Sequence, residues 1–173
     1  MQSPVLRALL DEFRKTKGMA EGAFAQLADE DFFFRLSARQ NSIAVIVKHM
    51  AGNMVSRWTD FLTSDGEKPD RDRESEFIEE VVPRATVMQT WERGWACVFA
   101  ALEPLTDADL SRAVTIRGEP HTVVQAAVRQ VAHYSYHIGQ ILLIAKHLRG
   151  ERWTYLTIPP GGSEAFNRQK GLL

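Results

Sequence analysis

Cysteine is almost missing from this chain. Its 173 residues include one, Cys97, so no intramolecular disulfide can form and a disulfide-stapled scaffold is excluded. Cys97 sits in the apolar run Trp95-Ala96-Cys97-Val98-Phe99, which reads as a buried, inert thiol rather than a nucleophile. A surplus of one charge is missing too: 21 basic residues face 22 acidic ones, for a net charge of −1. Nucleic-acid binding needs a large basic footprint to displace counterions from phosphates. Here the basic residues are scattered and paired with acids, as in Arg71-Asp72-Arg73-Glu74, which reads as a solvated loop. No apolar stretch approaches the ~20 residues that a membrane span requires. Met1-Gln2-Ser3-Pro4 lacks the basic-then-apolar pattern of a secretory signal. The expectation is a cytoplasmic protein that engages neither nucleic acid nor membrane.

What is present is an ordinary globular composition, 45% apolar, on a length that fits one domain, 1–173. Such a chain buries a core without metal staples, so any bound ion serves function before it serves the fold. Ser3-Pro4 is a helix start, and Val5, Leu6, Leu9, Leu10 and Phe13 follow at helical spacing. The first helix is expected over 4–28, with Gly18 and Gly22 as weak points. A connector then carries Phe32-Phe33-Phe34 as core plugs. Asn41-Ser42 caps a second helix over 42–63, on which Ile43, Val47, Met50, Met54, Trp58 and Phe61 share a face. Residues 64–75 are polar, contain Gly and Pro, and read as an exposed loop. A third helix over 84–103 presents Val87, Met88, Trp91, Trp95, Val98 and Leu102 and stops at Pro104. Residues 110–123 read as a small hairpin or an extended linker. The fourth helix, 122–149, is apolar around most of its circumference, which predicts packing on several sides, and Gly150 ends it. The tail, with Pro159-Pro160-Gly161-Gly162, reads as irregular chain draped over the rest. The fold class is all-α, a four-helix bundle with a possible small hairpin before its last helix.

Chemistry concentrates in the histidines. His133 and His137 are four apart, so they leave one face of the fourth helix side by side. Gln130, His133, His137 and Gln140 form a single polar stripe on an otherwise apolar helix. Burying such a stripe is costly unless its members satisfy one another, water or a metal. Two imidazoles at this spacing can share one ion, although Tyr134 stands where the helical zinc proteases place a general-base Glu. A surface-facing or core hydrogen-bonded pair is the competing reading. A tight site needs a third ligand. His49, in the middle of the second helix, is the best candidate, with Asn53 and Ser56 a turn or two on; its stripe continues into Asp60, a position equally suited to facing solvent. His121 reads as a cap or turn residue, and His147 as a complement to the helix C-terminus.

These residues carry a resemblance. Asn41-Ser42-Ile43 leading to His49, Asn53 and Arg57-Trp58, then His133-Tyr134-Ser135-Tyr136-His137-Ile138-Gly139-Gln140, and the tail Gly162-Ser163-Glu164-Ala165-Phe166-Asn167 resemble the DinB/YfiT-like superfamily of bacterial four-helix bundles, in a branch of uncharacterised function. The resemblance covers nearly the whole chain. It implies that His49, His133 and His137 bind one divalent metal between facing second and fourth helices, often in a homodimer. Relatives are described as hydrolase-like, or as transferases and isomerases acting with low-molecular-weight thiols. It assigns no further catalytic residue. Three imidazoles with an open position suit a catalytic site that holds a water or a small thiol. All-imidazole ligation favours zinc or nickel, with iron or copper as alternatives. Asn53, Gln130 and Gln140 are candidates for orienting the imidazoles or the bound ligand, or are simply polar side chains at a helix contact. The expectation is a metal-dependent thiol transferase or hydrolase; the alternative is a metal-binding or interaction protein without turnover, with Trp58, Trp91 and Trp95 at a dimer face.

Overall fold

The computed structural model describes residues 4–172, so the Ser3 cap lies outside the described residues. The chain is mostly helical, with one small two-stranded sheet. In order it forms α1 (Pro4–Phe24), α2 (Ile43–Trp58), α3 (Arg84–Leu102), the single turn α4 (Asp107–Leu110), β1 (Ala113–Ile116), β2 (Glu119–Thr122), α5 (Val123–Arg149) and α6 (Ser163–Gln169). Short 3-10 turns lie at Glu30–Phe33, Glu74–Phe77 and Gly150–Arg152.

The caps fall where side-chain chemistry places them. Ser42 Oγ accepts from the Val45 N–H at 3.2 Å and donates to Glu79, a cap whose loss typically costs ~1 kcal/mol. Thr122 and Gln125 form a reciprocal capping box at the start of α5. α1 and α2 are shorter than their apolar periodicity suggests. α1 ends at Phe24 and continues as turns, and α2 ends at Trp58 because Asp60 takes a positive φ of 49°. Of the hairpin and linker readings, the hairpin is the one formed. Its turn runs through Arg117 (φ 54°) and Gly118 (φ 77°), a pair of left-handed residues of the kind that closes tight two-residue hairpins.

The long helices pair as α2 along α3 and α1 along α5, with α2 also meeting α5. Close approach of α2 and α3 depends on Gly94, where a Cβ would stand 2.9 Å from the Cα of Ala51. One aromatic from each long helix meets at the centre: Phe13, Trp58, Trp95 and Tyr134. Phe13 lies 6.2 Å from Trp58, 6.2 Å from Trp95 and 5.9 Å from Tyr134, centroid to centroid. Such contacts add ~0.5–1.5 kcal/mol each beyond area burial. Trp58, Trp91 and Trp95 are therefore core residues, not a dimer face.

Several expectations are corrected. α5 is not covered all round, since Val128 and Leu143 are 54% and 59% exposed. Its outer face simply carries apolar side chains in water, a common state for isolated surface positions. Cys97 is half-buried rather than buried, because it lies toward the edge of the α3 core stripe. Phe32 is a core plug, whereas Phe33 and Phe34 are only partly covered. The tail is not wholly irregular: past the Pro-Pro-Gly-Gly break it forms α6. The 64–75 loop is not simply solvated, as Gly66 is buried and the Arg71 side chain is 5% exposed. No helix among the described residues is long and apolar enough to cross a membrane.

Candidate metal centre

α2 and α5 bring the three expected histidines to one place. His49 comes from the middle of α2, and His133 and His137 from successive turns of α5. Each offers one ring nitrogen, and the three lie within 4.8 Å of one another. Nε2 of His133 is 3.2 Å from Nε2 of His137. Ligands ~2.0–2.1 Å from a tetrahedral ion stand about 3.3 Å apart, so the α5 pair already has the needed spacing. His49 closes the triangle, its ring centroid 5.6 Å from that of His133 and 4.9 Å from that of His137. His49 is 6% exposed, so the solvent-facing reading of its stripe is set aside.

The far side of each ring is held by an acceptor. His133 Nδ1 lies 3.3 Å from Gln130 Oε1, and His137 Nδ1 lies 3.2 Å from Gln140 Oε1. His49 Nδ1 lies 2.9 Å from Glu76 Oε2. An amide oxygen or a carboxylate accepts only, so these contacts place the proton on Nδ1 in each ring. Each Nε2 is then left with a lone pair. Two facing lone pairs at 3.2 Å have no hydrogen between them, so neither ring satisfies the other. A cation satisfies both. Outer partners of this kind fix tautomer and orientation in imidazole metal sites, and the donor set is compatible with a divalent ion.

Burial supports neutral rings. It holds His133 down to about 3, helped by repulsion from His137 and His49. It holds His137 down to about 4, although the Gln140 contact opposes the shift. Burial works against charge on Glu76, but the hydrogen bonds from His49 and then Arg71 outweigh it and keep the carboxyl below its usual range. Arg71 grips this carboxylate with two bonds of 2.8 Å.

Glu76 is the residue that sequence reasoning missed. It lies in the 3-10 turn Glu74–Phe77, just beyond a segment read as solvated loop. One signal for it was available. Gly52 interrupts the interior of α2, where glycine costs ~1 kcal/mol relative to alanine. A Cβ there would stand 2.2 Å from Glu76 Oε1, so the glycine opens the space that lets the carboxylate reach His49.

The expected orienting groups divide. Gln130 and Gln140 each contact an imidazole, Gln130 fully buried and Gln140 exposed. Asn53 is hydrogen-bonded elsewhere: its Oδ1 accepts from the Tyr134 hydroxyl at 3.3 Å, while that hydroxyl accepts from Trp58 Nε1 at 3.1 Å. Asn53 nonetheless lines the cavity above the histidines, which measures about 480 Å³. His121 lies in β2, its Nδ1 3.0 Å from the Glu119 carbonyl, and His147 stacks on Phe34 at 5.7 Å. Neither joins the cluster.

Fold and site together define a helical protein whose three convergent histidines are compatible with a metal ion. No curated protein matches the chain. The chain belongs to the family described as Protein of unknown function (DUF1572), whose model matches residues 1–162.

Proposed function

We propose that this chain is a metal-dependent enzyme with the four-helix-bundle architecture of the DinB/YfiT-like superfamily. In this reading His49, His133 and His137 hold one divalent ion, zinc or nickel in the first instance, and a small molecule enters the cavity above them. The observation that carries it is the position of three lone-pair-bearing imidazoles beside a cavity of about 480 Å³ that opens to solvent. A ligand set sealed by apolar side chains would instead favour a structural or storage role, and polar residues dominate this lining.

The ion would supply Lewis acidity, which activates a water or a small thiol at neutral pH. The chain's own residues do the rest. Glu76, Gln130 and Gln140 hold the Nδ1 protons, which keeps the three Nε2 atoms turned inward. Arg71 keeps Glu76 ionised and in place. Transfer of a low-molecular-weight thiol to an electrophile fits this arrangement, and hydrolysis of a small substrate is the neighbouring possibility. Homodimer formation and a cytoplasmic location complete the proposal.

Elemental analysis of untagged protein joined to a thiol-transfer screen tests it. The acceptor is a chlorinated aromatic, in which sulfur bonds to the ring carbon as chloride leaves and the thiol proton passes to solvent. One ion per chain and turnover with at least one small thiol are expected, and His133→Ala loses both. Undiminished metal in His133→Ala would remove the histidines from the site. A full complement of metal with no turnover in either a thiol or a hydrolase screen would leave the non-catalytic reading.

A further inference from the structure

The cavity is more cationic than a metal site requires. Five arginines line it (Arg57, Arg71, Arg73, Arg117 and Arg129) and no carboxylate does. The acids behind its wall are already engaged. Glu76 is held by Arg71 and His49. Glu67 is divided among Arg57 at 3.6 Å, Arg71 at 3.3 Å and Arg117 at 3.2 Å. Asp65 accepts from the backbone N–H groups of Arg117 and Gly118, each at 2.8 Å, and Glu74 pairs with Arg73 at 3.1 Å.

Two cations lack a close carboxylate, the exposed Arg129 and the buried Arg57. Arg129 has no ion-pair partner among the described residues. Arg57 is 4% exposed, and its Nε and Nη1 meet no acceptor. Its nearest carboxylate, at 3.6 Å, is beyond hydrogen-bond range. A buried guanidinium ordinarily sits in a close, bidentate contact with a carboxylate or phosphate, and leaving it short of partners is costly. Burial, and after it repulsion from Arg129, holds the Arg57 guanidinium below the usual arginine range.

We propose that this cavity is a binding site for a small organic anion, whose carboxylate or phosphate is received by Arg57 and Arg129 while the rest of the molecule faces the three histidines. A concave space of about 480 Å³ suits a metabolite-sized ligand. The net charge of −1 over the whole chain speaks against a polyanion. The inference rests on the metal-centre reading for which end of the molecule reacts, whereas docking of the anion requires only the arginines.

That separation makes the two readings testable apart. Malonate, inorganic phosphate and uncharged malonamide are titrated by calorimetry, at low ionic strength, into the full chain as purified and after chelator treatment. One saturable site per chain is expected for malonate or phosphate in both preparations, and none for malonamide. The tighter of the two anions assigns the group as carboxylate or phosphate. Arg129→Gln, a change at an exposed helix position, and Arg57→Lys, which keeps the charge, each weaken binding at least tenfold. A chain that carries metal but binds neither anion once stripped overturns the anion site and leaves the metal centre standing. Binding that survives in a chain found to carry no metal supports the anion site and defeats the metal centre. Equal affinity in wild type, Arg129→Gln and Arg57→Lys would also overturn the assignment.

Discussion

Nε2 of His133 faces Nε2 of His137 across 3.2 Å, with each Nδ1 turned to a glutamine oxygen. Neither ring can donate to the other without giving up its outer contact. A cation between them removes the conflict. In the metal-loaded protein, ¹⁵N NMR of the imidazoles should therefore show all three histidines protonated at Nδ1. A loaded protein with His133 or His137 protonated at Nε2 would sink this account of the ligand set.

The core does not depend on the site. Phe13, Trp58, Trp95 and Tyr134 pack at the centre from four helices. Metal removal should lower the melting temperature without unfolding the chain. For an ion present at about 100 times its Kd, linkage gives ~2.7 kcal/mol, or roughly 5–10 °C for a domain of this size. Circular dichroism before and after chelation measures it, and loss of helix at room temperature would contradict the prediction.

Glu76 should matter to the ion without touching it. Glu76→Gln keeps the shape and removes the charge that holds the His49 proton. Gly52→Ala places a methyl where Glu76 Oε1 now lies. Both should weaken metal affinity about 10–100-fold, the usual scale for outer partners of metal-bound imidazoles. Gly52→Ala is the sharper test, because it favours the helix by up to ~1 kcal/mol. A variant with wild-type metal affinity would show that the carboxylate does not position His49.

Acid should find the same site in the metal-free protein. Burial lowers His133 to about 3 and His137 to about 4, against ~6.5 in an unfolded chain. Above pH ~6.5 both states are neutral and the histidines contribute no pH dependence. Below it the unfolded chain takes up protons that the folded site refuses, so stability falls with pH down to about 4. Urea midpoints measured from pH 7 to 4 should fall more steeply for wild type than for His133→Ala. Parallel profiles would show that these rings do not carry the dependence.

Much of this was legible in the sequence because it repeats at helical spacing. The apolar stripes located the long helices, the Ser42 hydroxyl marked a start, and the Gln130-His133-His137-Gln140 stripe gave two of the three clustered histidines. His49 was legible as a candidate but not as a ligand, since its helix face runs on into Asp60 and nothing local says which way it turns. Glu76 and Arg71 were hidden for a different reason. They lie in a polar segment whose composition matches ordinary solvated loop, and their burial comes from docking on α2, a tertiary event without periodicity. The arginines of the cavity were invisible as a group, because Arg57, Arg71, Arg117 and Arg129 are far apart in sequence and the first three have acids nearby.

The order of the parts along the chain has its own consequence. His49 and its partners Glu76 and Arg71 precede α5 in the chain, so they are synthesised before His133 and His137. The complete three-histidine cluster can therefore assemble only once nearly the whole polypeptide has been made.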